Sequence, residues 1–597
     1  MIRAEVADVG QIVLAATGWI GARRLPAGSP GRRAAFPAFR QWLCAAGLSL
    51  VATTAMAGGP PPPPIYVSST VICDAPTIQT AINTAPPGTE IRLVGAEFAL
   101  AAPVTVVNRD LRIAGGFPAC GAPSPTGRTA LIAGFSGDPV MLVLGNVPGA
   151  LDLTLVNLDL AEADNPAANG GGMRIGGTGE VSLFGVDVRD NFAMGGGGVA
   201  VFASGADPLT LSLGRGTRIG GEVAGGNGAE YGGGIYCDRA TLRLGHAAII
   251  GNAASGLGGG VRSVDCTIET AAEPGPTRID GNRARQGGGV YASGTAINLA
   301  SLPNQRVSIS GNAAINGASP RSGGGIYLAG EDSQFKGVGV RIDNNLARES
   351  AGGIFIAGAT LSMDRGDGAC ALDDDACSSI SGNAVRDAMG ALAGHSAAAF
   401  VAGSGSPVLD LTQTRIAGNV SAGTILRSSN AARVELASVL ITGNTSNTAL
   451  IENLATAELR MDFVTLAGNT HVGATVTNNS SAALASEIRR SILMPAPGAV
   501  TVVGTGTASY LCNNIAGGAH GGDSHAAGFV DAEAGNFRLR QNSQNLDRCA
   551  VDGTEPATDL GGRARIVDDP NAANAGGIVD RGAYEGPEAV FNDSFEG

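Results

Sequence analysis

The sequence predicts an all-β chain, a single-stranded right-handed parallel β-helix (solenoid) with a helical cap at its N-terminal end. Three observations carry this expectation. First, one phrase recurs, seen in full from Ile249 to Tyr291: a short β-branched run ends in Gly-Asn, small residues follow, and a glycine triplet opens the next apolar run. Second, the apolar runs are short and alternate, as in RVSIS and TLRLG, which is the period of a strand and not of a helix. Third, the repeat is 25 to 39 residues long, too short for a propeller blade and without the helical stretches of ankyrin or other helical arrays.

Each part of the repeat has a physical reading. Gly and Asn enter left-handed backbone at least cost, so a Gly-Asn pair after a strand marks a corner. Coils stacked about 4.8 Å apart let asparagines at equivalent corners hydrogen-bond from coil to coil. The corner set is Asn252, Asn282, Asn312, Asn344, Asn383, Asn419, Asn444 and Asn469, with Asn344 taken from an Asn-Asn pair in the equivalent slot. The glycine triplets at 195–198, 232–234, 258–260, 287–289 and 323–325 mark a second corner where no side chain fits. Gly is 92 of 597 residues, yet 44% hydrophobic content in regular runs excludes a disordered Gly-rich chain.

Taken in order, residues 1–57 read as a signal segment with a long front, either an extended leader or a start placed too early. Arg32, Arg33 and Arg40 precede the apolar run 42–51, and Ala55-Met56-Ala57 supplies a small-x-small cleavage pattern. Residues 58–64 are a proline-rich spacer, and 65–504 are the β-helix with its cap. Within PTIQTAINTAPPG, Ile78, Ala81 and Ile82 share one helical face before Pro86-Pro87-Gly88 stops the helix; such a plug covers the core a solenoid would expose at its end. Residues 505–586 are expected to form C-terminal coils and a closing cap, and 587–597 a short tail.

The net charge of the chain is −13, and the first 57 residues hold six arginines against Glu5 and Asp8, which leaves the remainder at −17. That balance disfavours nucleic acid and anionic membrane surfaces. Outside the leader there is no tryptophan, so sugar stacking on Trp platforms is not expected, and no transmembrane helix is expected either. The cysteines after the leader group as four disulfides, an even count suited to an exported chain: Cys73 with Cys120, Cys237 with Cys266, Cys370 with Cys377, and Cys512 with Cys549. Asp364, Asp367, Asp373, Asp374 and Asp375 bracket CALDDDAC and are calcium candidates, although the spacing matches no EF-hand loop and a solvated acidic loop is the plainer reading. His246, His395, His471, His520 and His525 are scattered; the pair 520/525 sits in a Gly-rich loop and reads as surface. No cofactor is firmly implied, and no catalytic residue can be assigned from the sequence.

The repeats resemble those of chlamydial polymorphic outer-membrane proteins, through GGGIY at 232–236 and 323–327 and GNxA at 251–254 and 281–284. The N-terminal segment is similar to the start of pectate-lyase-superfamily β-helices. NFRLRQNSQNLDRCA, TDLGGRARI and DRGAYEG, with Asp580, Gly582, Ala583, Tyr584 and Glu585, resemble the bacterial choice-of-anchor Q domain over residues 505–586. These resemblances imply a secreted or surface-exposed β-helix, monomeric, from a Gram-negative bacterium. Two functions follow as expectations. One is an adhesin-like binding or structural scaffold for an extracellular polysaccharide or cell-surface partner. The other, which would make the protein an enzyme, is a polysaccharide lyase or glycoside hydrolase; the Gly-His-Gly segment of polygalacturonases and the Arg-x-Pro-x-x-Arg segment of pectate lyases are both missing from the chain.

Overall fold

The structure is a computed structural model. It describes residues 61–586 apart from 206, 223, 224, 274, 304, 367–369, 484 and 519–521. The leader, residues 58–60 of the spacer, Asp367, His520 and the tail therefore lie outside the described residues. No helix among the described residues is long and apolar enough to cross a membrane.

Alternating sequence becomes a right-handed parallel β-helix of about 15 turns. Each full coil visits four parallel sheets in order. Sheet 1 has 16 strands, from Ile65–Ser68 to Ala508–Leu511, and sheet 2 has 15, from Glu97–Leu100 to Asn514–Ile515. Sheet 3 has 11, from Asp164–Asn169 to Thr470–His471, and sheet 4 has 14, from Val104–Val107 to Val500–Val503. The in-register pairs Leu242↔Ile268, Ile249↔Ile279 and Val261↔Val290 show why the period-2 pattern suffices. Every second residue points inward and stacks on its like in the next coil, giving one continuous apolar core. The helix α1 (Ile78–Thr84) buries Ile78, Ala81 and Ile82, and its N-cap Thr77 accepts the Thr80 N–H.

The corner between sheets 2 and 3 is an asparagine ladder. Asn252 Nδ2 donates to Asn282 Oδ1 at 3.0 Å and to the Ile219 carbonyl at 2.9 Å, and the same Oδ1 accepts the Asn252 backbone N–H at 3.0 Å. The pattern continues through Asn312, Asn383, Asn419, Asn444 and Asn469. Two findings revise the sequence reading. The rung between Asn312 and Asn383 is Asn345, not Asn344. Asn344 (φ 57°) holds the left-handed position that Gly251 (φ 66°) and Gly281 (φ 65°) hold elsewhere, so it replaces the glycine and leaves its neighbour to be the rung. The ladder also begins two coils earlier, with Asn191 and Asn227, where Asp190 (φ 56°) precedes the first rung and no Gly-Asn phrase covers it. At the corner between sheets 3 and 4, a Cβ on Gly233 would stand 2.5 Å from the Ala253 carbonyl oxygen and 2.7 Å from that of Gly259, so the coils can close only around glycine.

All four disulfides form as grouped. Cys73 is bonded to Cys120 and ties the segment ahead of α1 to the loop that follows Asp110–Phe117. Cys237 is bonded to Cys266 in the core and joins one coil to the next. Cys370 is bonded to Cys377 and closes the acidic loop, with Cys377 fully buried. Cys512 is bonded to Cys549 and ties the last coils to the C-terminal segment. Disulfides and the lack of a membrane-crossing helix among the described residues are consistent with an extracellular protein.

The expected C-terminal coils continue through Ala508–Leu511 on sheet 1 and Asn514–Ile515 on sheet 2. After Ile515 the chain turns back as a strap along the outside of sheet 2, with one antiparallel hairpin of Phe529–Asp531 and Asn536–Leu539. The physical reason is written in the outward column of sheet 2. Its in-register residues run Arg278, Ser308, Arg341, Ser379, Arg415, then Leu440, Thr465 and Ile492. Where the column turns apolar, Leu440, Ala467 and Ile492 are buried beneath Phe529, Phe537, Leu539, Leu560 and Ala583 of the strap.

Candidate functional site

A solenoid offers function only on its outward faces and on the loops between sheets. On sheet 3 the inward residues are small (Ala193, Ala229, Ala254, Ala284), and outward ones form a groove of about 560 Å³. Phe192 and Met194 are 46% and 38% exposed, more than most large apolar side chains here. Glycine makes the room: a Cβ on Gly228 would meet the Phe192 ring at 3.0 Å, and one on Gly256 would meet the Tyr231 ring at 3.1 Å. The far wall is the loop after Ala313–Ala314, which folds back across two coils. Asn316 Nδ2 donates to the Ala254 carbonyl at 2.8 Å, and the N–H groups of Ile315 and Asn316 donate to Ala284.

Glu230 and Arg285 are the charged residues lining the groove, and Arg262 stands against its Tyr231. Arg262 lies over the rings of Tyr231 (4.5 Å) and Tyr236 (4.9 Å), and Arg285 lines the groove. The Nε of each is buried with no hydrogen-bond partner. Beside the groove the outward column of sheet 4 runs in register through Tyr236, Arg262, Tyr291, Tyr327, Phe355, Phe400 and Arg427. Tyr291, Tyr327 and Phe355 stack at 5.2 and 4.7 Å, and Arg427 closes the far end over Phe400 at 5.4 Å. Ring faces in this column cover one another, which leaves edges and hydroxyls outward; a sugar ring finds no open face on its middle rungs.

A second concave region lies on the outer face of sheet 1, lined by Asp410, Glu435, Arg460, Asp462, Glu487, Arg489 and Thr554. Most of its carboxylates are taken. Glu435 pairs with Arg433 and with Arg460 at 3.5 Å, Asp462 with Arg489 at 3.0 Å and with Arg490, and Glu487 with Arg489 at 3.9 Å. Burial, then the neighbouring Glu435 and Asp364, push the Asp410 carboxyl up.

The acidic loop is held by arginines. Asp373 pairs with Arg538 (3.3 Å) and Arg563 (2.9 Å), Asp374 with Arg306 and Arg341, and Asp375 with Arg415 (3.1 Å) and the Tyr584 hydroxyl (2.5 Å). The Arg563 hydrogen bond holds the Asp373 carboxyl below the usual range. Calcium prefers six to eight oxygen ligands, and carboxylates turned to separate guanidinium groups do not fit it. Among the described residues no group of three or more His, Cys, Asp or Glu side chains is arranged to hold a metal. His471 is buried with its Nε2 on the Thr475 hydroxyl (3.1 Å), and His525 stands 3.8 Å from Asp523.

The strap explains the C-terminal motifs. Fully buried Arg565 donates to the carbonyls of Gly582 and Ala583 and to the Ser438 hydroxyl, reaches Glu585 at 3.5 Å, and stacks over Phe463 at 4.3 Å. Asp559 accepts the N–H groups of Arg563 and Glu585, and Asp580 those of Asp547 and Gly586. One guanidinium cannot balance three buried carboxyls, and burial accordingly pushes Asp580 up to about 7 and Glu585 up to about 9. Sequence reasoning missed the groove altogether, because Phe192, Tyr231, Arg262 and Arg285 lie on four different coils. A signal was available in the recurrence of an aromatic or Arg at one place after four of the five glycine triplets, as in GGGIY and GGGVY.

No protein-family model matches the chain, and no curated protein does. Among solved structures, a crystal structure of pectate lyase Pel9A aligns with 88% of this chain and 97% of its own, at 11% identity and a TM-score of 0.21. An overlap that low carries no argument about residues or activity.

Proposed function

We propose that the protein is an exported, surface-associated β-helix that acts as an adhesin-like binding scaffold, and that the sheet 3 groove takes an acidic extracellular polysaccharide. The observation that carries this reading is the pair of buried, partnerless guanidinium Nε atoms of Arg262 and Arg285 beside exposed Phe192 and Met194. An anionic ligand gains donors from these two guanidinium groups although Glu230 also lines the groove, and the apolar pair suits the carbon face of a sugar. Resemblance of residues 505–586 to choice-of-anchor Q domains supports export and surface attachment. One observation favours a second reading, a polysaccharide hydrolase or lyase working from the sheet 1 cleft: Asp410 carries a raised carboxyl pKa of the kind a general acid needs. The scaffold ranks first because the other cleft carboxylates are engaged by arginine, and two-carboxylate hydrolysis requires a second one free to act.

The test uses the oxidised protein with immobilised uronate-rich, sulfated and neutral polysaccharides, measuring retention and new chain ends. Retention on acidic polymers without cleavage is expected, falling at least fivefold in Arg285→Ala and in Phe192→Ala and unchanged in Asp410→Asn. New chain ends that vanish in Asp410→Asn would replace the scaffold with the enzyme.

A further inference from the structure

The first coils are capped by α1, whereas the strap that follows the last coil runs along sheet 2 and leaves two strand edges at the C-terminal rim open. Val500–Val503 is the last strand of sheet 4 and Ala508–Leu511 the last of sheet 1. Among the described residues no strand or bridge pairs with the outer edge of either, although Asn514 on sheet 2 is bridged to Asp523. An open edge is a template for another strand, and proteins ordinarily blunt it with charge, proline or a covering loop. Here the charges stop instead. In register, one outward column of sheet 1 runs Glu435, Arg460, Glu487 and then Ser509, and the other Asp462, Arg489 and then Leu511. That of sheet 4 runs Arg427, Glu452, Thr477 and then Val503. Val500, Val503 and Leu511 are 57%, 40% and 54% exposed, while Val502 and Tyr510 pack on the end of the core. In a chain that is 15% charged, no Asp, Glu, Lys or Arg stands between Arg490 and Asp523, and Asp523 is paired with Arg548 and Arg581. On sheet 2 the same change from charged to apolar marks where the strap lies; on sheets 4 and 1 the apolar residues stay exposed.

We propose that this rim is the interface of an end-to-end dimer, in which the Val500–Val503 and Ala508–Leu511 edges of two copies meet about a twofold axis, in place of the monomer that the resemblances imply. Charge selects a second copy as the occupant. Each chain carries −13, so contacts between copies elsewhere bring like charges together, and two uncharged rims do not. The contact is also self-complementary. A twofold axis lying across the end of a solenoid reverses the sense of the coil, so edge strands that face each other across it run antiparallel and exchange backbone hydrogen bonds. Both edges, Val-Thr-Val-Val and Ala-Ser-Tyr-Leu, are rich in residues that favour strands. Backbone pairing fixes the register of such a contact, and burial of Val500, Val503 and Leu511 drives it.

The experiment is sedimentation equilibrium of the oxidised protein, with hydrogen exchange read on dilute and concentrated samples. A dimer with a dissociation constant in the micromolar range is expected, together with slower exchange over 499–511 in the concentrated sample. Leu511→Asp and Val503→Asp each put a like charge on both rims at an exposed site and should weaken the dimer by about tenfold or more. Val147→Asp, at an exposed valine in the loop after Met141–Gly145, should leave it unchanged. A parent protein that stays monomeric at about 0.1 mM overturns the proposal. So does a dimer that both rim variants leave intact, or that Val147→Asp weakens equally. Slow exchange over 499–511 in a monomer, lost when residues 587–597 are removed, overturns it too and gives the rim to the tail.

Discussion

Asn344 and Asn345 differ by one position and have opposite duties. Asn345 is fully buried and bonded to both neighbouring rungs, whereas Asn344 only supplies a left-handed φ of 57°. Replacing Asn344 by Gly should therefore leave urea stability unchanged or raise it by up to ~1 kcal/mol, since glycine meets no Cβ penalty there. Asn312→Ala should do the opposite. It strips acceptors or donors from Asn282, Asn345 and the Ile279 carbonyl, and each buried group left unpaired costs about 1–3 kcal/mol, so a loss of at least ~3 kcal/mol is expected in the same titration. Equal effects from the two substitutions would contradict the rung assignment.

The strap is an element gripped at one kind of corner. Between sheets 1 and 2 the late coils place non-glycine residues in left-handed backbone: Gln413, Ser438, Phe463, Arg490 and Cys512. Gln413 donates to the Thr558 and Asp559 carbonyls, Ser438 accepts from Arg565, Phe463 lies between Arg490 and Arg565, Arg490 reaches Asp552, and Cys512 is bridged to Cys549. Backbone strain at these corners is offset by what their side chains hold. Arg565→Ala leaves the buried Gly582 and Ala583 carbonyls without their donor and should destabilise the strap by at least ~2 kcal/mol, read as faster hydrogen exchange over 523–586 with the coils before 360 unaffected. Glu585, facing Arg565, Asp580 and Asp559, sets the pH dependence. Its carboxyl titrates at about 9 when folded and near the usual carboxylate value of 4.5 when unfolded, so the folded strap binds the extra proton. The Glu585 contribution to strap stability is thus fully present below pH ~4.5 and is lost as pH rises toward 9, by at most ~1.4 kcal/mol per pH unit. Glu585→Gln should flatten that slope in hydrogen-exchange measurements at pH 6 and pH 8.

At the scale of the molecule, core and strap depend on each other unequally. Each coil packs on its neighbours, so the solenoid needs no strap to form, but Leu440, Ala467 and Ile492 need a cover. Reducing Cys512–Cys549 in the Arg565→Ala background should free the strap, leave the β-sheet circular dichroism in place, and produce concentration-dependent association visible by light scattering. Much of this was legible in the chain. The coil, its period, the Asn and Gly corners, the helix over 78–84 and the four cysteine pairs are local or nearest-neighbour matters, fixed by left-handed φ, alternation and one-coil spacing, and such terms can be read from a linear string. Asn344 was misplaced because two adjacent asparagines can each fill a slot, and only the hydrogen-bond register separates them. The groove, the arginine clamp on Asp373–Asp375 and the fold-back of residues 516–586 were decided by tertiary structure alone. They join residues from separate coils, in the clamp up to 209 positions apart for Tyr584 and Asp375. Stacking brings such positions together through the accumulated length of every coil between them, a quantity that no local pattern encodes.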